Sequence, residues 1–169
     1  MKKNRSLVPD YCFEKFSDAS AEFLSSIGVK GIVLDIDNTL EPYENPTPTA
    51  PVLAWFDTLS VAGIKAAFVS NNNAKRVEIF NKNLKFPAYT GAGKPFKKNV
   101  LRALADMQVS ADEAVLMGDQ IFTDVWAARN AGIRAILLPP IKDKRDILTR
   151  SKRSLEKPII KKYKKRNNI

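Results

Sequence analysis

Apolar residues arrive along this chain in five short runs, each of strand length: Gly31 to Asp35, Lys65 to Ser70, Phe86 to Thr90, Glu113 to Gly118 and Arg134 to Leu138. Between the runs, apolar positions recur at helical spacing over Ala50 to Ala62, Ala74 to Asn83, Phe96 to Met107 and Thr123 to Ala131. Another helix is predicted ahead of them, from Phe16 to Ile27, closed by Gly28. Strands and helices alternating at this length predict an α/β architecture, a five-stranded parallel sheet with helices on both faces. Pro42, Pro46, Pro48 and Pro51 mark an irregular flap after the first run. Beyond Pro139-Pro140 the sheet is expected to be finished, leaving one helical segment from Lys144 to Glu156, broken before Pro158.

Composition sharpens this picture in one respect. With 169 residues and 44% of them hydrophobic, the chain suits one domain with one sizeable core. Its formal charge of +10 is not spread along the sequence: residues 142–169 hold 12 Lys or Arg against 3 acids, and the rest holds 16 against 15. The expected division is therefore a helical lead-in over 1–28, an α/β domain over 29–141 and a basic C-terminal tail over 142–169. A single cysteine, Cys12, and no histidine exclude an internal disulfide and a Cys/His zinc site, which points to a cytoplasmic setting. The basic start Met1-Lys2-Lys3 is followed by Pro9, Asp10 and Glu14 rather than a hydrophobic core, so no export signal is expected. No apolar stretch approaches the roughly 20 residues of a membrane-spanning helix, and any membrane contact would be peripheral.

Chemistry collects where the predicted strands end. The first run leads into Asp35-Ile36-Asp37-Asn38-Thr39, two carboxylates at the carboxyl edge of a sheet, where open α/β folds bind ligands. Such a pair suits a hard divalent cation, and one acid can attack an electrophile while the other handles a proton. After the second run, Ser70-Asn71-Asn72-Asn73 opens a helix, which serves either as an N-cap or as an anion site built from free N–H groups. Lys94, in Gly91-Ala92-Gly93-Lys94-Pro95, can neutralise a phosphoryl group; a Walker loop is excluded because Ala88 stands at its first glycine and Pro95 at its Ser or Thr. The fourth run ends at Gly118-Asp119, with Thr123-Asp124 following, and either of the latter two could also cap the next helix.

In this order the motifs resemble those of the haloacid dehalogenase-like (HAD) phosphatase superfamily: Asp-x-Asp-x-Thr, a hydroxyl residue after the second strand, a lysine, and Gly-Asp followed by another Asp. The resemblance runs over about residues 27–140 and implies a Rossmann-like, HAD-like domain using Mg²⁺. It implies Asp35 as the nucleophile and Asp37 as the general acid and base. The metal ligands implied are Asp35, the main-chain carbonyl of Asp37, and Asp119. Thr39, Ser70, Asn71 and Lys94 would bind the substrate phosphate, with Asp124 and Gly118 in support. Only 30 residues separate Thr39 from Ser70 and 23 separate Ser70 from Lys94, too few for a cap domain, so a capless (class III) member with an open site is expected. Leu7-Val8-Pro9, the first motif, and Gly118-Asp119-Gln120 with Thr123-Asp124 look like the YqeG-like, type IIIA group, which is related to phosphatidylglycerophosphate phosphatases. That relation implies a bulky phosphorylated substrate.

The tail allows two partners. Its lysines, with Ile159, Ile160 and Tyr163, suit an anionic membrane surface; they equally suit RNA, and the alternative is an RNA- or ribosome-associated binding protein with little catalysis. Two other phosphate chemistries are excluded. A receiver-type phosphoacceptor carries its lysine last, whereas Lys94 precedes Asp119, and a cysteine phosphatase needs an arginine six residues after Cys12, where Asp18 stands.

Overall fold

The computed structural model describes residues 6–142 and 147–168, with side chains omitted for 147–153. Six strands form one parallel sheet, its order running Tyr11–Cys12, Arg134–Leu137, Ala114–Gly118, Gly31–Leu34, Lys65–Val69, Ala88–Tyr89. Five of them are those predicted: β2 Gly31–Leu34, β3 Lys65–Val69, β4 Ala88–Tyr89, β5 Ala114–Gly118 and β6 Arg134–Leu137. The expected five-stranded sheet is corrected by a sixth, β1 at Tyr11–Cys12, which lies parallel to β6. Two residues carry no readable period, and this strand exists because distant groups hold it. Asp10 accepts from the Ala135 N–H at 2.8 Å, and Arg129 donates to Asp10 at 2.7 Å and to the Ser6 and Val8 carbonyls at 2.9 and 2.6 Å.

Alternation along the strands divides the core in two. Ile32, Leu34, Phe68, Val115, Met117 and Ile136 face one side, beneath Leu24 of α1 (Ala21–Ser26), Trp55 and Phe56 of α2 (Ala50–Val61) and Val77 and Phe80 of α3 (Ala74–Asn81). Val33, Ala67, Val69, Leu116 and Leu137 face the other, beneath α4 (Lys98–Met107) and α5 (Trp126–Ala131). Both faces are covered, which is why β2 is buried along its whole length. No domain is inserted: β2 and β3 are joined by a flap and α2, β3 and β4 by α3.

Two helical expectations are corrected. The lead-in helix does not run from Phe16; a 3₁₀ turn at Phe16–Asp18 comes first, and α1 starts after Ser20, whose hydroxyl accepts from the Phe23 N–H at 3.2 Å. The tail helix does not break before Pro158: α6 spans Ile147–Asn167 with the proline inside it. Pro158 forfeits one helical hydrogen bond, and tertiary contacts outweigh that loss. The buried Glu156 carboxylate accepts from the Ile121 N–H at 2.7 Å, the Tyr163 hydroxyl accepts from the Cys12 N–H at 3.1 Å, and Arg166 donates to the Pro9 carbonyl at 2.9 Å. The predicted start of this helix at Lys144 lies outside the described residues.

Candidate active site

The strand ends bring the singled-out residues together. Asp35 remains on the sheet ladder, its N–H donating to the Met117 carbonyl at 3.0 Å. The chain then turns: the Ile36 carbonyl accepts from Thr39, Leu40 and Glu41, and Asn38 takes a φ of 61°, a left-handed conformation asparagine tolerates. Asp35, Asp37, Asn38, Tyr43, Ser70, Asn71, Asn72 and Gln120 line a cleft of about 270 Å³ at this edge. A larger groove of about 470 Å³, lined by Phe56, Ile64, Phe86 and Met107, lies at the amino end of β3, away from every candidate residue.

Lys94 stands behind the cleft wall, buried between two acids. Its ammonium donates to Asp35 Oδ1 at 2.8 Å and to Asp124 Oδ1 at 2.6 Å. Asn71 aims the lysine, accepting from the Lys94 N–H at 2.8 Å and donating to its carbonyl at 3.3 Å. The Asn71 side chain is thus spent on the lysine loop. The loop is further joined to the end of β3 by Ala92 N–H to the Ser70 carbonyl at 3.0 Å and Gly91 N–H to the Asn72 carbonyl at 2.8 Å. Ser70 is buried at the cleft floor, its hydroxyl accepting from the Asn72 N–H at 3.1 Å.

Gly118 has a steric reason. A Cβ there would come within 2.2 Å of the Asp124 carboxyl carbon, so only glycine lets Asp124 lie against the end of β5. Asp124 sits on a π turn, Ile121–Val125, and accepts from the Gln120 N–H at 3.0 Å. Asp35, Asp119 and Asp124 each offer an oxygen within 4.8 Å of the others, and all three are buried. Burial pushes the Asp35 carboxyl up to about 7; Lys94 opposes the shift, and Asp124 and Asp119 add to it. Burial works against the Lys94 ammonium, but Asp124 and Asp35 more than offset it and hold the lysine above its ordinary value. Three buried carboxyl groups lie together beside one ammonium, which pairs with Asp35 and Asp124, and their all-oxygen donor set fits a hard divalent cation. The expected ligand pair of Asp35 and Asp119 is brought together, with Asp124 beside it.

Asp37 faces elsewhere. One of its oxygens accepts from Asn72 Nδ2 at 2.8 Å and the other from Arg76 Nε at 3.1 Å. Neither partner was assigned a role from the sequence. Arg76 carries a readable signal nonetheless, because it sits beside Val77 and Phe80 on the buried side of α3, where a charge requires a partner. Thr39 is placed behind the cleft wall: its hydroxyl is buried, makes no hydrogen bond among the described residues and does not line the cleft. Tyr43, Asn38 and Gln120 line the cleft without having been singled out.

Comparison with known proteins decides the lineage. The chain is 34% identical to the probable phosphatase YqeG of Bacillus subtilis (strain 168) over 162 residues, 96% of this chain and 94% of that protein. This chain belongs to the HAD-like phosphatases. Residues 91–156 match the family model described as HAD-hydrolase-like, a span that includes Lys94, Asp119 and Asp124. Among solved structures, an uncharacterized protein from Listeria monocytogenes serotype 4b superposes with a TM-score of 0.55 at 20% identity, over 70% of this chain and 85% of that one. The cobalt-bound deoxy-D-mannose-octulosonate 8-phosphate phosphatase of Haemophilus influenzae gives 0.55 at 14% identity, over 66% and 68%. These two share the fold of this chain, and the YqeG relative ties the chain to the YqeG-like phosphatases.

Proposed function

We propose that this HAD-like phosphatase hydrolyses phosphomonoesters with Mg²⁺ through an aspartyl-phosphate intermediate on Asp35. The observation that carries the reading is the buried cluster of Asp35, Asp119 and Asp124, two of whose acids pair with the Lys94 ammonium, beside a cleft that Asp35 and Asp37 both line. Asp35, the Asp37 carbonyl and Asp119 would hold Mg²⁺, which when bound screens the nucleophile from the phosphate dianion and stabilises transferring charge. An Asp35 oxygen attacks phosphorus as the ester bond to the leaving oxygen breaks, and Asp37 gives that oxygen a proton. Water then attacks the same phosphorus, Asp37 takes its proton, and the bond to Asp35 breaks to release phosphate. Ser70 and the Asn71 N–H would bind phosphoryl oxygens at the end of β3, and Lys94 would offset charge.

The absence of an inserted cap among the described residues supports a bulky substrate, and the group's relation to phosphatidylglycerophosphate phosphatases makes a phosphorylated lipid head group the favoured class. No helix of the described residues is long and apolar enough to cross a membrane, so such a substrate would be met by peripheral contact. Lys161, Lys162, Lys164 and Lys165 are exposed on α6 and support attachment to an anionic bilayer. The test of the chemistry is hydrolysis of p-nitrophenyl phosphate by the full chain. Wild type should turn over with Mg²⁺ and stop with a chelator, and Asp35→Asn should be inactive; undiminished turnover by that variant would remove Asp35 as nucleophile.

A further inference from the structure

Arg76 is an ionised side chain placed on the buried side of a helix. It lies on the first turn of α3, three residues after the Asn73 cap and next to Val77, with 8% of its surface exposed. Its guanidinium spreads over three neighbours, two of them outside α3. Nε donates to Asp37 Oδ1 at 3.1 Å, Nη1 donates to the Pro46 carbonyl in the flap at 2.8 Å, and the guanidinium carbon lies 5.3 Å from the centre of the Phe80 ring. Nη2 is buried and makes no hydrogen bond among the described residues. A side chain needed only to fill this space would do so better as an apolar residue, since it would leave no N–H unsatisfied.

From these contacts, and resting on the phosphatase reading above, we infer that Arg76 is the positioning residue for proton transfer: it fixes the direction of the Asp37 carboxyl and ties that direction to the flap. The terminal torsion of an aspartate is broad, so a carboxyl with one donor turns easily. Here two donors hold its two oxygens, Arg76 from α3 and Asn72 from the loop that ends β3. That loop also contains Ser70 and Asn71, so the acid is registered to the site proposed for the phosphoryl group. The same Asp37 must meet the leaving oxygen in the first half-reaction and the incoming water in the second, and a misdirected carboxyl serves neither. Through the Pro46 carbonyl, Arg76 also ties the Asp37 direction to the segment that carries Tyr43 into the cleft.

The experiment compares aryl phosphates of graded leaving-group acidity, from p-nitrophenyl to phenyl phosphate, with full-length protein and saturating Mg²⁺, reading kcat/KM. p-Nitrophenolate departs with little help from an acid, whereas phenolate needs a proton. Arg76→Gln should therefore lose about 10-fold more on phenyl than on p-nitrophenyl phosphate, within the range general acid catalysis supplies. In an Asp37→Asn background the same substitution should leave the leaving-group dependence unchanged, because its effect passes through Asp37. Arg76→Lys keeps the charge without the fork and carries the same comparison if Arg76→Gln is unfolded at the assay temperature. Equal losses on both esters, or an undiminished effect in the Asp37→Asn background, would make Arg76 a structural anchor only. Wild type inactive on every ester would instead overturn the phosphatase reading itself, and this assignment with it.

Discussion

Three clustered acids, with one ammonium paired to two of them, leave the site short of positive charge at the level of single residues, and two predictions follow from that geometry. The first concerns pH. With its carboxyl raised to about 7 chiefly by burial, Asp35 holds a proton in the folded, metal-free protein over a range where the unfolded chain has released it. Its contribution to stability is therefore fully present below its ordinary pKa of about 4 and is lost as pH rises through 7. Thermal unfolding in chelator should show wild type losing stability between those limits more steeply than Asp35→Asn, and Mg²⁺ should restore wild type alone. Parallel pH profiles for the two proteins would remove the burial argument. The second concerns Gly118. A methyl group there overlaps the Asp124 carboxyl carbon at 2.2 Å, so Gly118→Ala must displace the acid that holds Lys94. Overpacking of this kind costs about 1–3 kcal/mol, and turnover should fall far more than stability does. A crystal structure of the variant with the Lys94–Asp124 contact intact would contradict the steric reading.

At the scale of elements, α6 is part of the fold and not a loose extension. Ile159 and Ile160 pack against the core, Tyr163 is 8% exposed, and Glu156 caps the Ile121 N–H at the turn that carries Asp124. Removal of residues 141–169 would expose that apolar contact and leave the turn uncapped. We expect the truncated chain to unfold several degrees below the full one, whereas Tyr163→Phe, which removes only the hydroxyl at the Cys12 N–H, should cost about 1 kcal/mol. Calorimetry distinguishes the two cases. An unchanged melting temperature after truncation would mean that the helix contributes nothing to the body. The sequence showed the helical tendency of this segment and its charge, but Pro158 argued for a break, because the contacts that keep the helix whole come from residues 9, 12 and 121, far away in the chain.

For the whole molecule the charge is asymmetric. Outside the last 28 residues basic and acidic side chains nearly balance at 16 and 15, so long-range attraction to anions belongs to the α6 side. Each lysine near an anionic bilayer is worth about 1 kcal/mol, and the attraction fades beyond a Debye length of about 8 Å in physiological salt. Full-length protein should float with phosphatidylglycerol vesicles at low salt and be released as salt rises. Lys161→Gln, Lys162→Gln, Lys164→Gln and Lys165→Gln together should abolish flotation without affecting hydrolysis of p-nitrophenyl phosphate, since none of these side chains lines the cleft. Flotation unaffected by the fourfold substitution would rule out α6 as the attachment surface. Binding to RNA but not to vesicles would favour the nucleic-acid alternative.

The positions of five strands, the helices on both faces, and the placing of Asp35, Asp37, Ser70, Lys94, Asp119 and Asp124 at strand ends or in the loops and turns that follow them were determined by the sequence alone. These follow from local periodicity and from which residue stands next to which, and each can be read within a window of about 15 residues. The pairing of Asp37 with Arg76, the burial of Lys94 between Asp35 and Asp124, the strand at Tyr11–Cys12 and the unbroken α6 were decided only by the tertiary structure. Each joins residues 30 to 157 positions apart in the chain, and which of several chemically suitable partners a buried charge or an unsatisfied N–H meets is settled by packing, which no local pattern contains.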